Sequence, residues 1–257
     1  DYYCDWSSDV CSSDLSHICS AAPHKLLYIH TDNGCSNPSD SASCKASTRS
    51  DVMTMRLFLC EKPSQAKDIA AVLGATRRGD GCWLGNGMTV TWCIGHLLET
   101  APPDAYDAKY KRWVLADLPI IPDKWKMRVK PKTASQFKAV KRLLGEAQEL
   151  VIATDADREG EMIARELVEH CRYRGPIQRL WLSALDDASI RKALAALKPG
   201  AETFSLYHSA LGRSRADWLI GMNMSRLFTL LGRQSGYQGV LPVGRVQNPD
   251  PAPGGRS

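Results

Sequence analysis

Leu150-Val151-Ile152-Ala153-Thr154-Asp155-Ala156-Asp157-Arg158-Glu159-Gly160 decides how this chain folds. Four consecutive apolar residues, two of them β-branched, read as a strand buried on both faces. Three acids follow within five residues. Behind them Ile163, Leu167 and His170 fall on one stripe at helical spacing. Strand, acidic loop and helix is the order in which an open α/β sheet brings a site to the carboxyl end of a strand. Side chains alternate along an extended segment, so Asp155, Asp157 and Glu159 are expected to converge on one side. Carboxylates packed that closely repel one another unless a cation sits between them. Mg²⁺ suits them, because it takes oxygen ligands and keeps several of its waters.

A second stretch repeats the pattern. Arg56-Leu57-Phe58-Leu59-Cys60 reads as another buried strand and runs into Glu61-Lys62-Pro63-Ser64. Pro63 opens a helix through Ile69 and Leu73, as proline does at a first helical position. If the two strands are parallel neighbours, Glu61 comes close to the aspartates. A single acid after a strand is usually a solvated loop charge or a carboxylate favouring a helix N-terminus. Asp-X-Asp-X-Glu-Gly together with a distant strand-end glutamate favours a metal site made of Glu61, Asp155, Asp157 and Glu159.

The 257 residues are enough for one large domain or two smaller ones. The formal charge of +5 is uneven: residues 1–50 hold three basic and six acidic residues, so the remainder carries +8. A basic globular part suits a polyanionic partner. No apolar run reaches membrane-spanning length, and no secretory signal is evident. Of nine cysteines, none forms a Cys-X-X-Cys pair, which argues against a zinc ribbon. Cys60, Cys82, Cys93 and Cys171 lie in apolar contexts and read as buried free thiols.

Along the chain, residues 1–54 read as a non-domain extension with Ser-Ser-Asp repeats and no sustained period. Met55 precedes the first strand. Alternation follows: strand 56–60, helix 64–73, a glycine-rich turn at 79–87, strand 88–94 and a long Pro- and Trp-containing loop at 102–131. Then come helix 134–148, the acidic strand, helix 160–171, strand 177–182 and helix 187–197. This predicts a parallel sheet with crossover helices. Residues 203–232 read as helical, with Leu206, Ala210, Leu219, Met222 and Leu230 as core candidates and Arg213, Arg215, Arg226 and Arg233 along it. His96 reads as a structural histidine bonded to a turn, Trp113 and Trp125 as anchors of a satellite core, and Tyr237 as either a packing or a base-stacking residue.

Five motifs carry a family resemblance: Phe58 to Ser64, Thr91 to Glu99, Asp155 to Gly160, Arg213-Ser214-Arg215-Ala216-Asp217-Trp218-Leu219, and Val243-Gly244-Arg245-Val246-Gln247. Residues 55–247 resemble the N-terminal part of a type IA DNA topoisomerase, most like the bacterial topoisomerase III branch. The acidic motifs alone mark the broader Toprim fold, shared with primases and some nucleases; the two later motifs narrow it. The resemblance implies an α/β Toprim domain over residues 55–186, a Rossmann-like parallel sheet with flanking helices. The start of a mainly helical DNA-binding domain over 187–249 and an irregular tail at 250–257 follow.

The resemblance also implies an enzyme that cleaves, passes and reseals single DNA strands through a phosphotyrosine intermediate with Mg²⁺. No ATP is needed, which accords with the lack of a Gly-X-X-X-X-Gly-Lys-Ser/Thr loop. Glu61 and Lys62 take the catalytic positions, with Lys62 neutralising phosphate charge. Glu61, Asp155, Asp157 and Glu159 take the metal positions. Arg158, Arg213, Arg215, Arg245 and Gln247 face DNA, preferentially single-stranded. A cytoplasmic, nucleoid-associated bacterial monomer is implied. In the family the nucleophilic tyrosine lies downstream of the Gly-Arg-Val-Gln motif. None of the eight tyrosines here stands in that context, and Asn248 stands where threonine is usual. The chain as written is therefore expected to be inactive alone. The alternatives are another Toprim enzyme, a primase or nuclease, or a non-catalytic nucleic-acid-binding module.

Overall fold

Leu150 and Ile152 point into one hydrophobic core, Val151 and Ala153 into a second on the opposite face of the same strand. That strand, β7 (Glu149–Ala153), lies beside the central strand of a seven-stranded sheet in the computed structural model, which describes residues 55–244. The reading of 1–54 as a non-domain extension, the DNA-facing positions Arg245 and Gln247, and the tail at 250–257 lie outside the described residues.

The chain runs β1 (Arg56–Cys60), α1 (Pro63–Leu73), β2 (Arg77–Gly79), β3 (Cys82–Leu84), β4 (Met88–Trp92), β5 (Leu98–Thr100), β6 (Met127–Val129), α2 (Ala134–Glu146), β7, α3 (Arg158–His170), β8 (Ile177–Arg179), α4 (Asp187–Ala195), β9 (Lys198–Pro199) and α5 (Phe204–Gln234). Sheet order is β2-β3-β4-β1-β7-β8-β9. The four middle strands are parallel, and β1 and β7 are direct neighbours, with Cys60 opposite Ala153. Both edges are antiparallel. The sheet is therefore mixed: the expected parallel strands with crossover helices form its middle, and short antiparallel strands are added at both edges.

The segment expected as a glycine-rich turn is the hairpin β2–β3, with Gly79 paired to Cys82. Asp80-Gly81 is its two-residue connection, and Gly81 sits at φ +67°, where a side chain would be strained. The signal was in the sequence, but three-residue strands with exposed arginines carry almost no periodicity. The loop at 102–131 is likewise more ordered than expected. It ends in β6, which pairs with β5, and it contains three 3₁₀ turns.

Helices α2 and α3 cover one face of the sheet with Phe137, Val140, Leu143, Ile163 and Leu167. Helices α1 and α4 cover the other with Ile69, Ala70 and Ile190. The 31-residue α5 packs along α3, where Tyr207 and Ala210 are buried against Met162. Of the expected α5 core residues only Ala210 is fully buried; Leu206, Leu219, Met222 and Leu230 are half-buried. Cys60, Cys82 and Cys93 are buried and Cys171 half-buried, all as free thiols.

Candidate active-site cleft

Parallel pairing of β1 with β7 brings Glu61 and Asp155 out together at the carboxyl end of the sheet, as the sequence predicts. The amide of Asp155 donates to Glu61 Oε2 at 3.1 Å. Gln65, in the first turn of α1 and almost fully buried, ties the two loops together. Its Oε1 accepts from the amide of Glu61 at 2.8 Å, and its Nε2 donates to Asp155 Oδ1 at 3.0 Å. Lys62 Nζ donates to the other Asp155 oxygen at 3.1 Å. Asp157 is the N-cap of α3 and accepts from the amide of Gly160 at 2.7 Å. Burial, with Asp155 and Asp157 nearby, raises the Glu61 pKa above the ordinary glutamate value. The Asp155 amide and Lys62 oppose that shift.

Glu159 takes a different direction. It stands in the first turn of α3, so the extended alternation stops at its N-cap, and its carboxylate lies 3.7 Å from His96 Nε2. The expected convergence of all four acids on one point is not formed. Among the described residues, no three His, Cys, Asp or Glu side chains group closely enough to hold one ion. The physical reason is the early helix start: capping fixes Asp157, and helical geometry turns Glu159 toward the β4–β5 connection. Glu61, Asp155 and Asp157 still supply an all-oxygen donor set at the strand ends. That set suits Mg²⁺ held through one or two carboxylates with retained waters rather than a closed protein cage.

His96 bonds a carboxylate, not a turn. Its Nδ1 is 3.0 Å from Glu166 Oε2, on the buried face of α3. That hydrogen bond raises the His96 pKa, aided by the charges of Glu166 and Glu159 and opposed by burial and Lys130. His96, Lys130, Arg158, Glu159, Arg213 and Trp218 line a cleft of about 670 Å³ bounded by α3, α5 and the β5–β6 pair. Arg158 and Arg213 are both exposed there. Arg215 does not line this cleft; it lies over the Trp125 ring at 5.3 Å and borders a smaller adjoining pocket. Trp125 in turn packs edge-on to Trp218 of α5 at 5.4 Å, and Trp113 lies under Arg226 and Arg233. Both tryptophans are anchors, as their isolation predicts. Tyr237 is exposed beside Arg233.

Sequence reasoning missed Gln65, Arg179, Glu161 and Asn223. Gln65 had a signal, since it stands three residues after the N-cap of α1 and ahead of an apolar run. Buried Arg179 and Glu161 had none, because nothing in a single sequence distinguishes a buried ion pair from a solvated one. Asn223 of α5 clamps the backbone of Ile120, accepting from its amide at 2.6 Å and donating to its carbonyl at 3.0 Å.

Residues 56–185 match the Toprim domain model. Residues 201–250 match the DNA topoisomerase model. The chain belongs to the type IA DNA topoisomerases. The second match sets aside the primase and nuclease alternatives. Among relatives, this topoisomerase chain is 49% identical over 200 residues to "DNA topoisomerase 3" of Vibrio cholerae and 48% identical over 201 residues to that of Salmonella typhimurium. Each alignment covers 76% of this chain and 31% of the relative. "DNA topoisomerase 3" of Bacillus cereus is 44% identical over 199 residues, 77% of this chain and 27% of its own. The chain thus spans about a third of the length of the curated relatives it matches. A solved structure, full-length topoisomerase I from Thermotoga maritima, aligns over 66% of this chain and 25% of its own. Its identity is 23% and its TM-score 0.47, a weak likeness that adds nothing to the assignment.

Proposed function

We propose that this chain supplies the Mg²⁺-binding and strand-holding part of an ATP-independent enzyme that cleaves, passes and reseals single-stranded DNA. The observation that carries the reading is the acidic loop at the strand ends (Glu61, Asp155, Asp157) running directly into Arg158, which lines the cleft together with Lys130 and Arg213. A bound Mg²⁺ would supply charge neutralisation at a phosphate. Asp155 and Asp157 are its first candidates, with Glu61 behind them; Glu159 is a cleft residue paired to His96.

A phosphodiester strand in the cleft would meet the guanidinium groups of Arg158 and Arg213 on opposite walls, one from α3 and one from α5. Lys62, ion-paired to Asp155, can swing from that carboxylate to a phosphate oxygen, since the pair is half exposed. Glu61, with its pKa raised, holds a proton more readily than an ordinary glutamate. It is therefore suited to protonate a leaving oxygen. The attacking group is a tyrosine outside the cleft described. The family resemblance puts the enzyme in the cytoplasm at the nucleoid, as a monomer; among the described residues no helix is long and apolar enough to cross a membrane.

The test is a trapping assay with a radiolabelled single-stranded oligonucleotide and Mg²⁺. The 257-residue chain is expected to bind without forming a covalent adduct, and the same sequence joined to the remaining two thirds of a relative to form one. Adduct formation by the 257-residue chain itself would contradict the proposed division of the site.

A further inference from the structure

Arg179 ends β8 and is fully buried. Its guanidinium does not reach solvent or the cleft. Nη1 donates to the carbonyls of Ile152, Thr154 and Leu180 at 3.1, 2.9 and 2.8 Å, and Nη2 donates to the carbonyl of Asp155 at 2.6 Å. Nε donates to Glu161 Oε2 at 2.8 Å. Glu161 is itself fully buried and is held on its other oxygen by Arg165 at 2.9 Å and Thr203 at 3.0 Å.

The arrangement has a local cause. Strand β8 pairs with β7 only as far as Ile152 opposite Arg179. Beyond that point the chain stays buried through Thr154, yet its carbonyls have no ladder partner, and a buried carbonyl left unpaired is costly. One flat, five-donor group fills the gap, which lysine's single ammonium cannot do. The same loop is gripped at its far end, where Thr154 Oγ1 donates to the carbonyl of Gly160 at 2.7 Å.

We infer that Arg179 is a positioning residue for the metal-facing loop: by holding the Thr154 and Asp155 carbonyls from beneath, it fixes the direction in which Asp155 and Asp157 present their carboxylates. This rests on the reading that the loop faces a divalent cation. The role differs from that of an ordinary core ion pair, because the bonds fall on the backbone of the acidic loop itself. Residues that orient metal-binding groups typically set metal affinity by ten- to a hundredfold.

The test is Mg²⁺ titration by calorimetry on the 257-residue chain, with Arg179→Lys, Glu161→Gln and Ile190→Ala. The lysine keeps a charge opposite Glu161 but loses the fork; the glutamine keeps volume but loses the anchor of the fork. Ile190, fully buried on the opposite face, controls for general destabilisation. Arg179→Lys is expected to lower Mg²⁺ affinity about tenfold or more, and Glu161→Gln to lower it less. Ile190→Ala should lower the melting temperature and leave affinity unchanged. Amide exchange should quicken at residues 155–158 in Arg179→Lys and not at Leu150–Ile152. Parental Mg²⁺ affinity in a folded Arg179→Lys chain overturns the inference, and so does loss of the fold in both variants, which would make the pair a core element. A parent chain without Mg²⁺ affinity overturns the reading of the site instead.

Discussion

The amide of Asp155 donates to the carboxylate of Glu61 across ninety-four residues of sequence. One hydrogen bond thus joins the loops that follow two adjacent parallel strands. It gives the acidic edge its geometry before any ion or DNA arrives. The bond also holds Glu61 beside like charges, with burial as the larger cause of its raised pKa.

Replacing either aspartate by asparagine should weaken Mg²⁺ binding, because ligand charge falls while shape is kept. Asp157→Asn should leave stability close to the parent's, since asparagine caps a helix as well as aspartate. Asp157→Ala should lose about 1 kcal/mol of stability as well, because the Gly160 amide loses its acceptor. Calorimetry and denaturant titration separate the two effects. Equal Mg²⁺ affinity in Asp155→Asn, Asp157→Asn and the parent would rule out the aspartates as ligands.

Gly160→Ala should be severe for a residue in a helix, where alanine is normally the better choice. A Cβ there would lie 2.3 Å from the Asp155 carbonyl oxygen, and backbone cannot move aside as a flexible side chain can. A loss of about 1–3 kcal/mol or more is expected. The sequence signalled this glycine only as part of a motif; the reason for it is the close approach of α3 to its own preceding loop. A neutral or stabilising Gly160→Ala would mean that the loop does not lie against the helix.

Much of this architecture was legible in advance. Continuous apolar strands such as Leu150–Ala153 must be buried on both faces, so the central parallel strands and their covering helices followed from the sequence. Edge strands were not legible, because Arg77–Gly79 and Lys198–Pro199 are too short and too exposed to carry a period. The acids were found, but not their directions. An extended alternation was extrapolated past Asp157, whereas the capped helix turns Glu159 to His96. Gln65, Arg179 and Asn223 act through backbone groups far away in sequence, and residue type alone does not announce such partners.

His96 ties stability to pH. Its folded pKa lies above the reference 6.5, chiefly through the hydrogen bond to Glu166. A folded-state pKa above the unfolded one means that the native chain holds this proton more tightly. The stabilisation is full below about pH 6.5 and is lost as pH rises through the folded value. Melting temperatures should therefore fall across that window in the parent and fall less in His96→Gln. Glu159 and Lys130 face the same ring and partly offset one another, so they leave the sign unchanged. Parallel pH profiles for the two chains would show that the pair does not couple to folding.

Asn223→Ala should release the loop at 102–131 from α5. The substitution strips both backbone groups of buried Ile120 of their partners, a cost of about 2–4 kcal/mol. Proteolysis near Ile120, faster in the variant, would register the release. Unchanged stability and proteolysis would mean that the Trp125–Trp218 contact alone holds the loop.

The central claim is that a single DNA strand lies in the cleft between Arg158 and Arg213. Fluorescence anisotropy of a labelled single-stranded oligonucleotide, titrated with the parent, Arg158→Ala, Arg213→Ala and the double variant over a range of salt, tests it most directly. Each arginine removed should weaken binding for every oligonucleotide sequence. Each should also reduce the slope of log affinity against log salt by about 0.7. Parental affinity and an unchanged salt slope in the double variant would place the DNA elsewhere and contradict the account.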